Sequence, residues 1–292
     1  MLLGAEPTDP RSAGVPTAAA VMARAAGENF PVAGRLLGAA VRADLLAIYG
    51  FARLVDELGD ASSGDRLAAL DWLQDELDRA FQGRAEHPLL VALQPTLRRR
   101  ALGHEPFLRL IEANRMDQRV HSYRTWEQLR GYCSLSADPV GELVLAVFGA
   151  ATPERIALSS SICTGLQLVE HCQDVAEDLA AGRVYLPEED LERFGCSRGQ
   201  LAEAHAGGPL RQVLAFEVAR ASELFARGAP LIDELSGRAR LTVAAFVAGG
   251  RAAASAIERA GYDVLPGAPR AGRGTLALAL ASTLLGRHRE SV

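Results

Sequence analysis

The chain has 292 residues, 49% hydrophobic and 23% charged, a globular mix able to bury a large core. Aromatic residues are only 5%, so the apolar fraction is mostly Ala, Leu and Val, which favours helix over strand. A net charge of −5 argues against general nucleic-acid binding, and the absence of Lys excludes Schiff-base chemistry and a Lys-dependent phosphate loop.

Residues 1–17 are rich in Pro, Gly, Ser and Ala and read as a flexible N-terminal tail with no signal-peptide pattern. Helical periodicity then runs almost unbroken, with Gly or Pro at turn-like positions. The expected helices are 42–61, 65–82, 88–101, 104–121, 125–149, 154–181, 210–235, 238–261 and 272–286. Thr152, Pro153 and Glu154 mark one start as cap, first helical residue and first-turn acid. No stretch reads as a strand. The expectation is an all-α single domain over 18–287, with a short tail at 288–292.

Cys133, Cys163, Cys172 and Cys196 form no C-x-x-C pair, so neither a zinc site nor a disulfide framework is expected. Leu276–Leu285 is too short to span a bilayer. A cytoplasmic location follows as the default. The late helix ends in Arg287, His288 and Arg289; it reads either as a contact with a membrane surface or, more commonly for such helices, as packing on the bundle.

Two stretches carry chemistry. In the first, Tyr49, Arg53, Asp56 and Asp60 share one face of a helix otherwise filled by Ile48, Phe51, Leu54, Val55 and Leu58. In the second, Gln167, Glu170, Asp174 and Asp178 are spaced three, four and four, with Glu177 beside them. Carboxylate rows on apolar helices are costly unless something positive meets them. Magnesium suits that need: it takes oxygen ligands, keeps several waters, and binds through few carboxylates plus substrate phosphates. Asp71 and Asp75 have the same spacing but stand among Arg66, Glu76, Asp78 and Arg79, which reads as a solvated surface. His171 reads as a helix-face residue rather than a ligand, and Cys133 and Cys172 as small packing residues. Glu188, Glu189 and Asp190 read as the acidic start of a short helix.

These residues resemble the squalene/phytoene synthase family of the isoprenoid synthase fold. Tyr49, Arg53, Asp56 and Asp60 match its first aspartate-rich motif; Gln167, Glu170, Asp174 and Asp178 match its second. Gly182-Arg183-Val184-Tyr185-Leu186-Pro187 is similar to the segment that follows, and Tyr132 to Gly141 to its central helix. The resemblance spans about residues 19 to 270. It implies a helical bundle around a central apolar cavity, with Mg2+ held by Asp56, Asp60, Glu170, Asp174 and Asp178.

It also implies diphosphate binding by Arg53 and Arg183, with Asn29, Gln167 and Gln173 as further substrate contacts. Gly141 would let the isoprenoid chain pass close to the backbone. Tyr49, Tyr132 and Tyr185 would orient the diphosphate or face a carbocation, with core packing as the equal alternative. Two departures stand out: Glu170 where many relatives have Asn, and Gln173 where condensing members usually have Arg. Gly250, Arg251, Arg270 and Arg273 fall where condensing members carry a Tyr and basic residues, and are given no role.

The chain is most similar to bacterial members of hopanoid operons that convert presqualene diphosphate and water into hydroxysqualene and diphosphate. Their partner enzymes would be a presqualene diphosphate synthase and a hydroxysqualene reductase. Two alternatives are a prenyltransferase joining two prenyl diphosphates head to head, and a helical assembly factor that has lost catalysis. The presence of both acidic rows argues against the second.

Overall fold

The computed structural model describes residues 15–23, 37–60 and 64–286. Asn29 and the residues after 286, including Arg287, His288 and Arg289, lie outside the described residues. So do most of the N-terminal tail and the side chain of Arg273. Among the described residues the fold is all-α; the sole bridge pairs Ser122 with Val184. Its contacts group into two compact units, 1–119 and 120–292.

The first unit holds α1 (Ala18–Ala23), α2 (Ala39–Asp60), α3 (Arg66–Phe81), α4 (Pro88–Arg100) and α5 (Glu105–Asp117). The apolar side of α2 packs on α3, α4 and α5, burying Phe51, Leu54 and Leu58 with Leu70, Leu73, Leu90 and Phe107. Phe51 meets Phe107 edge-on at 5.0 Å between centroids. The fully buried Asp44 ties α2 to α4, accepting from Thr96 Oγ1 at 2.8 Å, Arg100 Nε at 2.7 Å, and Arg99. Burial alone would push the Asp44 carboxyl up, but bonds from Arg99, Arg100 and Thr96 hold it below its ordinary value.

The α3 acids divide in a way the charge pattern did not distinguish. Asp71 and Asp75 are exposed, as expected of a solvated face. Glu76 instead is buried, accepting from the backbone N–H of His87 at 2.7 Å and of Glu86, and from Arg79 Nε at 2.8 Å. It satisfies the chain ends of the α3–α4 connection, work that only the tertiary fold assigns.

The second unit holds α6 (Trp126–Ser136), α7 (Asp138–Val147), α8 (Pro153–Gln173), α9 (Val175–Ala180) and α10 (Glu188–Arg193). These are followed by α11 (Gly208–Gly228), α12 (Pro230–Glu234), α13 (Gly237–Arg259) and α14 (Arg273–Leu284). Helix α8 is the axis, packed by α7, α11 and α13. Three of the long expected helices are divided. Pro139 and Pro230 lack an N–H and clash with the preceding turn, which ends the helices before α7 and α12. The third break falls at Asp174, between α8 and α9.

Helix α13 is long and apolar enough to cross a bilayer by length and composition, yet 67% of its most apolar window is buried within the protein. It reads as the core helix of its unit. Gly250 on α13 shows how tight that core is: a Cβ there would stand 2.5 Å from Phe225 Cζ and 2.7 Å from Leu166 Cδ2. A larger side chain at that position would force the Phe225 and Leu166 side chains to shift.

Candidate active site

In the first unit the acidic row lies on the last two turns of α2. Arg53 Nη1 is 3.7 Å from Asp56 Oδ2 and Arg53 Nη2 is 3.5 Å from Glu57 Oε1. These are long pairs, and the buried Arg53 Nε has no hydrogen-bond partner among the described residues. A guanidinium so loosely held keeps donor capacity for an anion. Asp60 is exposed and Asp56 partly so, and Tyr49 is half-buried.

Helix α5 supports this row through residues that the sequence reading missed. Asn114 Nδ2 reaches Asp56 Oδ1 at 3.5 Å, and Gln118 Nε2 donates to the Gly59 carbonyl at 3.0 Å. The Asn114 amide lies over Gly59, its Cγ 2.9 Å from where a Cβ would stand, so the glycine admits it. Asn114 and Gln118 are four apart on α5, but nothing in that spacing singles out an amide that faces another helix.

In the second unit the acidic row straddles the break at Asp174. Bonds from Asp174 N to Glu170 O at 3.0 Å and from Asp178 N to Asp174 O at 2.8 Å keep the helical register through the joint. Burial, then repulsion from Asp178 and Glu177, pushes the Asp174 carboxyl up to about 6, against the pull of His171 and Arg270. The row thus gathers more negative charge than its own cations offset. Gln167 is half-buried and Glu170 is exposed on α8, while Glu177 acts on Asp174 alongside Asp178.

After α9 the chain turns at Gly182, whose φ of +83° favours glycine. Arg183 N then bonds to Asp178 O at 2.8 Å, and Val184 N to His121 O at 2.8 Å. This places Arg183 and Tyr185 beside Asp178, around a small cavity that Val175, His171 and Leu201 also line. Tyr185 stacks on His171 at 4.0 Å and 11° between rings, with Tyr132 at 5.4 Å from Tyr185 and Tyr123 at 5.5 Å from Tyr132. His171 is buried, with Nδ1 3.9 Å from Asp178 Oδ2, so it is built into the aromatic stack rather than lying on a bare helix face. Tyr123, absent from the sequence reading, completes the stack because the 121–124 and 184–189 segments are zipped together.

Two expected substrate contacts have other partners in the structure. The bare face of Gly141 on α7 is filled by Ser159 Oγ and by Cys163 Sγ, the latter 2.6 Å from a Cβ placed there, so the missing side chain brings α7 onto α8 rather than opening a passage. Gln173 is buried and its amide donates to the Pro269 carbonyl at 2.5 Å. Of the cysteines, burial pushes Cys133 up to about 12 and Cys172 well above its ordinary value, which keeps both as packing thiols.

The chemistry of the donors fits magnesium. They are hard oxygens, and Asp174, Glu177 and Asp178 repel one another in a way a divalent cation would relieve. Among the described residues no three His, Cys, Asp or Glu side chains are grouped closely enough to hold a metal ion by themselves.

The family model for squalene/phytoene synthase matches residues 23–275. A hydroxysqualene synthase of Zymomonas mobilis is 36% identical over 206 residues, covering 68% of each chain. A phytoene synthase of Arthrospira platensis is 31% identical over 252 residues, covering 81% of this chain and 82% of its own. The crystal structure of the squalene synthase HpnC from Alicyclobacillus acidocaldarius superposes with a TM-score of 0.78 at 45% identity, over 84% of this chain and 93% of that one. The chain belongs to the squalene/phytoene synthase family, isoprenoid synthases that act on isoprenoid diphosphates.

Proposed function

We propose that the chain is a hydroxysqualene synthase, which ionises presqualene diphosphate, lets the carbocation rearrange, and captures water to give hydroxysqualene and diphosphate. The observation that carries the diphosphate chemistry is the carboxylate row at the α8–α9 joint, where burial first, then Asp178 and Glu177, push Asp174 up to about 6, with the Arg183 backbone tied to the Asp178 carbonyl. Similarity to two hydroxysqualene synthases supports the choice of reaction.

In this reading Asp56, Asp60, Glu170, Asp174 and Asp178 hold Mg2+, directly or through water, with Glu177 adding charge. A metal held there would supply positive charge to the departing diphosphate. Arg53 and Arg183 grip diphosphate oxygens with planar donor forks. Tyr132 and Tyr185, packed with Tyr123 and His171, form an aromatic cluster beside Asp178 whose π-systems would stabilise nearby positive charge. Apolar walls such as Val175 and Leu201 keep bulk water from the cation.

A presqualene diphosphate synthase would supply the substrate and a hydroxysqualene reductase would consume the product, both in hopanoid synthesis. A cytoplasmic enzyme that touches a membrane surface through α14 and its C-cap, where Leu278 and Leu285 are exposed, would suit such greasy molecules.

The test offers the purified chain, with Mg2+, either presqualene diphosphate or farnesyl diphosphate. A C30 alcohol from presqualene diphosphate alone is the expected result. A hydrocarbon from the second substrate would establish instead the condensing reaction, the reading that the 31% identity to a phytoene synthase favours. Turnover of neither substrate would favour a non-catalytic assembly factor.

A further inference from the structure

We infer that Arg220 on α11 is a positioning residue: its guanidinium ties together the two segments that carry Tyr123, Tyr132 and Tyr185, and so fixes the aromatic wall of the cavity beside Asp178. The part this wall plays in the reaction rests on the functional reading above. Tyr185 lines the cavity, and Tyr132 and Tyr123 back it with ring centroids 5.4 and 6.0 Å away. One segment supplies Tyr123 and runs through Trp126 into α6, which carries Tyr132; the other runs from Tyr185 into α10. Backbone bonds zip the two together: Val184 N to His121 O at 2.8 Å, Glu188 N to Tyr123 O at 2.9 Å and Glu189 N to Arg124 O at 3.0 Å. The Glu188 and Glu189 side chains accept from Ser122 Oγ and Trp126 N, each at 2.7 Å.

A lone pair of extended segments is marginally stable without a further layer. Arg220 supplies that support to both. Its Nη1 donates to Asp190 Oδ2 on α10 at 2.8 Å, and its Cζ lies 4.7 Å from the Trp126 ring centroid at the head of α6. A planar guanidinium can do both at once, giving its edge to a carboxylate and its face to a ring. Glu217 Oε1, 2.6 Å from Nη1, fixes the head on its own helix, and Asp190 and Glu217 are both buried. Arg220 thus acts through the tyrosine rings rather than on substrate. A wall held still keeps water from the carbocation until it has rearranged. When the wall is loose, water adds to the unrearranged cation: a C–O bond forms, one proton passes to solvent, and an isomeric C30 alcohol results.

The experiment compares the full chain with Arg220→Lys, which keeps the charge between Asp190 and Glu217 without the flat face, and with Trp126→Leu, which removes the ring alone. Either variant suffices if the other does not fold. Backbone hydrogen exchange is followed by mass spectrometry well below the melting temperature, and the alcohols formed from presqualene diphosphate with Mg2+ are separated. Exchange across residues 184–189 is expected to quicken roughly 2- to 5-fold, the range set by a partly exposed cation–π contact, while α13 is unaltered. The share of the isomeric alcohol should rise by a similar factor, which a general loss of stability would not cause. Exchange that stays the same, or that quickens equally in α13, would overturn the tie. Quickened exchange with an unaltered product ratio would overturn the positioning role. A parent chain that does not turn over presqualene diphosphate would overturn the functional reading, while the exchange rates would still decide the tie.

Discussion

Arg220 Nη1 stands 2.6 Å from Glu217 Oε1 and shares its charge with Asp190 Oδ2 at 2.8 Å. The guanidinium also lies 4.7 Å from the Trp126 and Phe216 ring centroids. One cation thus faces two enclosed carboxylates. Burial first, and Asp190 further, push Glu217 up to about 8 although Arg220 pulls it down. Burial therefore favours the protonated form of Glu217 in the folded chain.

That proton makes stability depend on pH. The folded chain binds it between 4.5, the ordinary value, and about 8, while the unfolded chain does not. Stability from this group is complete below 4.5 and is lost as pH rises through about 8. Thermal midpoints should fall from pH 6 to pH 8.5 in the parent chain, and Glu217→Gln should flatten that slope. An unchanged slope would show that Glu217 is ionised in the folded state.

Asp44 gives the opposite sign. Its folded value is lowered, so its contribution is present above the ordinary 3.8 and is lost as pH falls through the folded value. Asp44→Asn removes the negative charge that Arg99 and Arg100 share and replaces one acceptor oxygen with a donor. Because both guanidiniums reach solvent, the expected loss is about 2–3 kcal/mol rather than the larger cost of a wholly buried pair. Urea unfolding at pH 7 measures it; a loss under about 0.5 kcal/mol would place the stability of the α2–α4 pairing elsewhere.

Asn114 should tune the first acidic row through Asp56. Asn114→Ala removes an amide 3.5 Å from Asp56 Oδ1 and should raise the Mg2+ concentration for half-maximal turnover about 10-fold. Gly59→Ala should do the same by displacing that amide. The two changes together should lose little more than either alone, since they act on one contact. Fully additive effects would mean that Gly59 acts by another route.

Asp56→Ala and Asp174→Ala should each abolish the thermal stabilisation by magnesium diphosphate and lower turnover by at least about 100-fold, since removing a metal ligand should cost more than removing an outer-shell partner. Melting curves with and without the salt check the first effect independently of substrate supply. Stabilisation that survives in either variant would remove that carboxylate from the ligand set.

Arg251 on α13 is half-buried, and burial pushes its guanidinium down with no carboxylate opposing the shift. A desolvated cation of this kind costs stability. Arg251→Leu should raise the thermal midpoint by about 2 °C or more. A fall would show that the stem or head makes contacts of greater worth than its desolvation.

Periodicity and composition were enough to foresee helices and their approximate limits, because an apolar stripe at helical spacing has no other stable home. They also exposed both acidic rows, since a carboxylate on an apolar helix is visible as a mismatch in sequence. What one helix does to another was hidden. Gly141 looked like space for substrate, but Ser159 and Cys163 fill that space. Gln173 looked like a site residue, but its amide is spent on Pro269. Glu76 matched its exposed neighbours in pattern and differs from them entirely in burial.

The sequence by itself determined the helical class, the acidic rows and the family, because these follow from residue spacing along one chain. Tertiary structure decided which polar side chains are partners: Asn114 with Asp56, His171 with Tyr185, Gln173 with Pro269 and Arg220 with Asp190. Those pairings join residues on different elements, and a hydrogen bond or ring contact depends on ångström distances that only packing sets.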